Sequence, residues 1–313
     1  MDSYFKIGII SKCNLNCRFC STAGKSDELS LEEIKELILN AIKQRKVPMI
    51  TGGEPLLHPN FFDILSFMKE NHIRGVVESN GLLLLDSNIY DRLKPFLKDF
   101  ITFDFLINGF NSNLHDYLSG KEGSFFGLLK ILERFQSDSI PFNLHVVINK
   151  VNYRYLPNIA SLALRFNAQQ IRFIFILPLG NADKYFEELI PFLSLVRPYL
   201  YSVLKKLLFE DIRVYFENIP YCVIPYFEKY IQSFDLTFKT KKDEKFCSIC
   251  AFDLICDGFY EWYLLRKADD EFVSISPYRE KLTTKLRLTQ DAHPFLDNYF
   301  LVQSSFDPNV RPI

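Results

Sequence analysis

Cys13, Cys17 and Cys20 fall within eight residues, in CNLNCRFC, directly after the apolar run Tyr4 to Ile10. Thiolates this dense bind zinc, hold an iron–sulfur cluster or form disulfides. A closed four-coordinate site takes four ligands, so three leave one position for a substrate or cofactor. Four further cysteines come late: Cys222, then Cys247, Cys250 and Cys256 in the spacing C-x2-C-x5-C. The total of seven argues against a complete disulfide framework. It divides instead into an open site and a closed one. A closed site of four thiolates suits a 4Fe-4S cluster or a structural zinc.

The rest of the chain bounds that chemistry. Its 313 residues are 48% hydrophobic, which supports a sizeable core in a large domain or a domain with an appendage. A formal charge of −1 predicts no general attraction to nucleic acid or to an anionic membrane. The 31 phenylalanines read as core filling. Met1-Asp2-Ser3-Tyr4 lacks the basic start of a secretory signal, and no apolar run approaches the ~20 residues of a membrane helix. The expected location is cytoplasmic, where clustered cysteines are metal ligands rather than disulfides.

The elements that must position these residues alternate. Strands are expected at Tyr4–Ile10, Val47–Thr51, Gly75–Ser79, Ile101–Ile107, Phe142–Ile148 and Ile171–Leu177. Between them, helices are expected from Ser30 (a capping box with Glu33), over Phe61–Asn71, Asn88–Leu97 (shortened or bent by Pro95), Ser124–Phe135 and Leu156–Phe166. Such alternation gives parallel β–α units, with sites at the carboxyl ends of the strands. The cysteine loop, Gly52-Gly53-Glu54-Pro55 and Ser79-Asn80-Gly81 each follow a strand and should meet at one mouth. After Gly180 the pattern breaks. Ala182–Phe209 reads as helix interrupted at Pro191 and Pro198, Arg213–Phe216 as a short strand, and Lys239–Lys245 as a solvated loop.

With its C-x3-C-x2-C loop after the first strand, the sequence resembles the radical SAM superfamily over roughly residues 4–180. The resemblance implies that Cys13, Cys17 and Cys20 hold three irons of a 4Fe-4S cluster and that S-adenosylmethionine (SAM) chelates the fourth. Phe19, one residue before the last cysteine, matches the usual aromatic that shields the cluster. Gly52-Gly53-Glu54-Pro55 matches the segment that meets the methionine amino group. Ser79 and Asn80 match the polar segment after the third strand, where Asn-Gly is also ordinary turn chemistry. In Leu106-Ile107-Asn108-Gly109, Leu106 and Asn108 depart from the serine and aspartate of related enzymes. Pro178 to Ala182 resembles the segment whose backbone meets adenine. The late cysteines resemble a reduced SPASM or twitch extension, with Tyr260 where the full pattern continues with cysteine. They are expected to hold a second, auxiliary 4Fe-4S cluster, with zinc as the alternative.

The expected fold is α/β, a partial (β/α)6 TIM-like barrel, with a radical SAM core over 1–182 and a cysteine-rich extension over 183–313. The implied activity is cleavage of SAM to a 5′-deoxyadenosyl radical that takes hydrogen from a substrate, a ribosomally made peptide being preferred. Alternatives are oxidation or rearrangement of a small metabolite, and a non-catalytic zinc or iron–sulfur protein. The implied partners are a flavodoxin or ferredoxin electron donor and a separate peptide-recognition protein, since neither the few residues before Tyr4 nor the tail after Phe272 reads as a leader-binding domain. His58 reads as structural. His72, His115, His145 and His293 lack metal spacing and read as surface or satisfied residues. Asp104 and Asp116 lie close enough to the mouth to be candidates, against readings as a strand-end residue and a loop acid. Tyr117 and Lys121 carry no assignment.

Overall fold

A computed structural model of the chain describes residues 4–225, 227–232, 239–242, 247, 250, 252 and 256–267. His293, part of Lys239–Lys245 and the tail after Phe272 lie outside them. Seven strands form one sheet in sequential order: β1 (Tyr4–Ile10), β2 (Val47–Gly52), β3 (Gly75–Ser79), β4 (Ile101–Leu106), β5 (Phe142–Ile148), β6 (Gln170–Phe175) and β7 (Arg213–Glu217). Pairing is parallel from β1 through β6. The sheet is a curled α/β half-barrel, as the sequence implies, with one addition: the short strand at 213 joins it as the seventh.

The crossovers are α1 (Leu31–Lys43), α2 (Phe61–Glu70), α3 (Ser87–Leu93), α4 (Ser112–Ser119), α5 (Ser124–Ser137) and α6 (Leu156–Arg165). Ser30 and Glu33 form the expected capping box on α1. Pro95 does more than bend its helix: α3 stops at Leu93 and a 3-10 turn, Lys94–Phe96, replaces the last turn. Helix α4 was not apparent in the sequence. It is short, and its start is set by the Asn111 side chain accepting from Leu114 N–H.

Alternation along the strands separates two faces. Phe103 and Phe105 of β4 stack on each other and pack edge-on against Phe135 of α5. Odd positions of β4 therefore face the helices, and Asp104 faces the hollow of the barrel. Register carries that hollow face sideways: Glu78 pairs with Asp104, Asp104 with Asn143, and His145 with Arg172.

Beyond β6 come the single-turn helices α7 (Asn181–Lys184) and α8 (Phe186–Leu189), then α9 (Leu193–Leu207). Pro198 lies inside α9 and does not end it, in contrast to its expected effect. The chain falls into two compact units. One comprises Met1–Pro191 and Pro198–Phe216, and the other comprises Phe192–Arg197 and the described residues from Glu217 onward. In the second, β8 (Thr240–Lys241) pairs antiparallel with β9 (Phe259–Tyr260), and α10 (Glu261–Lys267) follows. Thr240 and Lys241 are thus strand rather than the loop expected. No helix among the described residues is long and apolar enough to cross a membrane.

Candidate active site

The cysteine loop leaves the carboxyl end of β1 and is clasped by its neighbours. Gly53 N–H donates to Ile10 O at 2.6 Å and Glu54 N–H to Lys12 O at 2.9 Å. From the end of α4, Ser119 O and Leu118 O accept from Asn16 and Arg18 N–H at 3.1 and 2.9 Å. Asn181, at the start of α7, donates its N–H to Cys20 O at 2.9 Å and its side-chain amide to Cys17 O at 3.0 Å. Two glycines permit this closeness. A Cβ on Gly53 would strike the Lys12 carbonyl, and one on Gly180 the Cys20 carbonyl.

The thiols share one environment. Leu15 N–H points at Cys13 Sγ (3.4 Å), Asn80 Nδ2 lies 3.9 Å from the same sulfur, and Cys20 Sγ is 3.3 Å from Thr22 Oγ1. Burial pushes the Cys13 and Cys17 thiols up, and charge on the neighbouring cysteines adds to this. Thiols such as Cys13 and Cys17 that resist ionisation alone suit a metal centre that deprotonates its ligands on binding. Phe19 is buried beside Cys20, as a shielding ring requires.

Glu54 is fully buried at the neck of this loop. Its Oε1 accepts from Ser79 Oγ (2.8 Å) and Leu56 N–H (3.2 Å), and its Oε2 from Asn80 N–H (2.9 Å). No cation pairs with it among the described residues. Burial, resisted by the Asn80, Ser79 and Leu56 hydrogen bonds, pushes its carboxyl up to about 7. Asn80 Nδ2 also donates to Asn14 Oδ1 in the cysteine loop at 2.7 Å. The structure thus brings Gly52, Gly53, Glu54, Pro55, Ser79 and Asn80 to the cysteine triad. A buried carboxylate lacking a cation is suited to an ammonium group. Asn108, two residues beyond β4, has both side-chain polar atoms buried and unpartnered. His58 is structural: its Nδ1 accepts from Asn60 N–H, and its other nitrogen is 2.9 Å from Leu29 O.

The hollow face holds a charged network that the sequence did not assign. Asp104 Oδ1 lies 2.8 Å from His145 Nδ1, and Asp104 Oδ2 accepts from Arg172 Nε (3.0 Å) and Nη2 (2.6 Å). Arg172 Nη2 also reaches Glu78 Oε1 at 2.6 Å. Burial acts to raise the Asp104 carboxyl, but Arg172 and His145 outweigh it and hold it below its ordinary value. Glu78 is likewise lowered, its burial outweighed by Lys6, Arg172 and His145. Of the readings as surface or satisfied residue, His145 takes the second: it is buried, with Nδ1 held by Asp104. The signal was present in the sequence as polar residues at alternate positions of apolar strands: Asp104, then Asn143 and His145, then Gln170 and Arg172. Asp116 is not a loop acid: it lies in α4, and its carboxylate accepts from Gly123 N–H, Ser124 Oγ–H and Phe125 N–H at the start of α5.

In the second unit, Cys222, Cys247, Cys250 and Cys256 line one pocket with Lys242, Phe252, Gly258 and Phe259. Burial pushes the Cys256 thiol up; hydrogen bonds from Gly258 and Tyr221 oppose this, and Cys250 and Cys247 add to it. Cys250 N–H donates to Cys247 O at 2.9 Å, the tight turn that a C-x2-C pair needs to aim both sulfurs one way. The four late cysteines therefore converge, with donors that suit a closed 4Fe-4S cluster or zinc.

Comparison with known proteins agrees with this geometry. The model of the Radical SAM superfamily matches residues 7–163. An AdoMet-dependent heme synthase of Methanosarcina barkeri is 29% identical over 55% of this chain and 50% of its own length. The mycofactocin maturase MftC of Mycolicibacterium smegmatis is 26% identical over 57% of this chain and 46% of its own. The chain thus spans about half the length of the curated relatives it matches. Among solved structures, Streptococcus suis SuiB bound to S-adenosylmethionine superposes with a TM-score of 0.58 at 17% identity, covering 72% of this chain and 52% of SuiB. The same protein bound to its precursor peptide SuiA gives 0.53 at 17% identity, over 66% of this chain and 46% of SuiB.

Proposed function

The chain belongs to the radical SAM superfamily, and we propose that it is a maturase of that superfamily, removing hydrogen from a peptide substrate. Membership implies an enzyme that uses SAM and a 4Fe-4S cluster. The observation that carries the assignment to these residues is Glu54: a fully buried carboxylate without a cation, beside three convergent thiols. In this reading Cys13, Cys17 and Cys20 hold the cluster as thiolates. Glu54 receives the SAM amino group, and the backbone of Gly52, Gly53 and Pro55 closes around the methionine end. Ser79 and Asn80 fix the Glu54 carboxylate through hydrogen bonds, and Phe19 excludes water from the thiolates. When bound, the reduced cluster supplies the electron that splits a C–S bond of SAM and yields the 5′-deoxyadenosyl radical.

Residues 1–182 are the proposed catalytic core and 183–313 the extension. Cys222, Cys247, Cys250 and Cys256 are proposed to hold an auxiliary 4Fe-4S cluster, with zinc as the alternative. The peptide class is supported by the likeness to MftC, a maturase, and by the fold shared with SuiB, solved with a precursor peptide. The likeness to a heme synthase supports the second reading, a small-metabolite substrate. A cytoplasmic enzyme of this kind takes its electron from a flavodoxin or ferredoxin, and a separate protein delivers the peptide. The test is anaerobic reconstitution followed by turnover with dithionite, SAM and candidate precursor peptides. Iron near eight per chain supports two clusters, and near four leaves the late site to zinc. Peptide that loses hydrogen supports the maturase reading. A metabolite converted in its place sinks that reading.

A further inference from the structure

The hollow of the barrel holds an acid–base pair that neither the thiolate loop nor the Glu54 pocket uses. Asp104 is fully buried, with one oxygen 2.8 Å from His145 Nδ1 and the other bound by Arg172 Nε and Nη2 at 3.0 and 2.6 Å. The guanidinium keeps Asp104 ionised where a lone carboxylate would protonate. An ionised Asp104 only accepts, so it fixes the proton of neutral His145 on Nδ1 and leaves the lone pair on Nε2. Nε2 has no hydrogen-bond partner among the described residues, and the His145 side chain keeps 10% of its surface accessible.

Asp104 on β4 and Arg172 on β6 flank this imidazole from the adjacent strands; Glu78 on β3 senses His145 and Arg172 and also Lys6 on β1. Tyr4 senses Arg172 and Asp104 and shares a hydrogen bond with the Gln170 side chain. Next to Asp104 in register, Asn143 Oδ1 is a buried polar atom without a partner among the described residues. An orphaned acceptor on this face suits a ligand with a polar N–H group. Glu78, Asp104 and His145 are also close enough together to ligate a divalent cation. Against that use, Arg172 already bridges the two carboxylates.

We propose that His145 is a catalytic acid–base residue whose Nε2 takes a proton from an N–H or O–H group of the substrate held in the barrel. Asp104 and Arg172 are positioning residues. One proton moves: the substrate atom keeps the bonding pair, the imidazole becomes imidazolium against Asp104, and the proton later leaves to solvent. No electron is exchanged in this step. The proposal rests on the radical SAM reading above, and it narrows the substrate to one with an acidic N–H or O–H beside the reacting carbon, as a peptide offers.

The test treats iron-replete holoenzyme anaerobically with diethyl pyrocarbonate across neutral pH and maps the modified histidines by mass spectrometry. His145 is expected to react before His58 and His115, both 3% exposed, with a rate that rises with pH as a single ionisation. In Asp104→Asn that profile shifts and the advantage is lost. On a peptide that the wild type modifies, His145→Gln should lower the product formed per 5′-deoxyadenosine by about 100-fold. His145→Asn, whose amide can still reach Asp104, separates this loss from misfolding and should lose product equally. A His145 that stays unlabelled, a profile unchanged in Asp104→Asn, or an unchanged product ratio overturns the proposal. So does His145-dependent binding of one equivalent of Zn2+ or Mn2+. If the wild type releases no 5′-deoxyadenosine, it is the superfamily reading that has failed, and the labelling result still decides His145.

Discussion

Replacing Glu54 by glutamine keeps the shape of the side chain and removes the buried charge. In the unfolded chain this carboxyl ionises near 4.5, and in the folded protein it is pushed up to about 7 by burial. The folded state therefore holds the proton more tightly, and stability falls as pH rises from about 4.5 to about 7. Below that window both states are protonated and the group contributes nothing. Above it the penalty is constant. At 1.36 kcal/mol per pKa unit, a displacement of this size amounts to about 3 kcal/mol. The glutamine variant lacks the titration. Its one carbonyl can serve Ser79 Oγ and Leu56 N–H, but its NH2 then faces Asn80 N–H, at a cost of about 1–3 kcal/mol at every pH. Urea unfolding without SAM, at pH values across this window, should show the wild type losing about 3 kcal/mol relative to Glu54→Gln between the acid and alkaline ends. Saturating SAM should remove most of that loss, because its ammonium pairs with the carboxylate. SAM affinity measured by equilibrium dialysis should fall by about 2–5 kcal/mol in the variant. Parallel stability profiles, or equal SAM affinity, would refute the claim that Glu54 waits as an uncompensated anion.

Other perturbations reach different parts of the account. Gly53→Ala drives a methyl group into the Lys12 and Ser11 carbonyls, so the cysteine loop must move, and iron retained at the first site after reconstitution should drop. Arg172→Met leaves Asp104 and Glu78 buried beside each other without their guanidinium, and should destabilise the fold by about 3–5 kcal/mol in chemical denaturation. Cys250→Ser should reduce iron from about eight to about four per chain if the late site is a cluster. Iron unchanged by the substitution, together with zinc lost, identifies a zinc site instead.

The frame and the first site were legible because both are local patterns. Apolar runs alternating with capped helices specify β–α units, and C-x3-C-x2-C and Gly-Gly-Glu-Pro are contiguous motifs at the ends of successive strands. Their meeting follows from parallel topology alone. Helix α4 was missed because eight residues with a weak apolar stripe give little periodicity, and its Asn111 cap looks like any turn residue. Pro198 misled because its local cost is real but tertiary packing of α9 overrides it. Strand β7 was read as a separate short strand, since register with β6 is a long-range property. The Asp104–His145–Arg172 network escaped for the same reason: its members lie 41 and 68 residues apart, and only strand register brings them together.

The central claim is that Cys13, Cys17 and Cys20, with Glu54 beside them, form a site that cleaves SAM reductively. Its most direct test is the release of 5′-deoxyadenosine by anaerobically reconstituted protein given dithionite and SAM. Release by the wild type that is lost in Cys17→Ala is the predicted result. No release from an iron-replete sample, or release that survives Cys17→Ala, contradicts it.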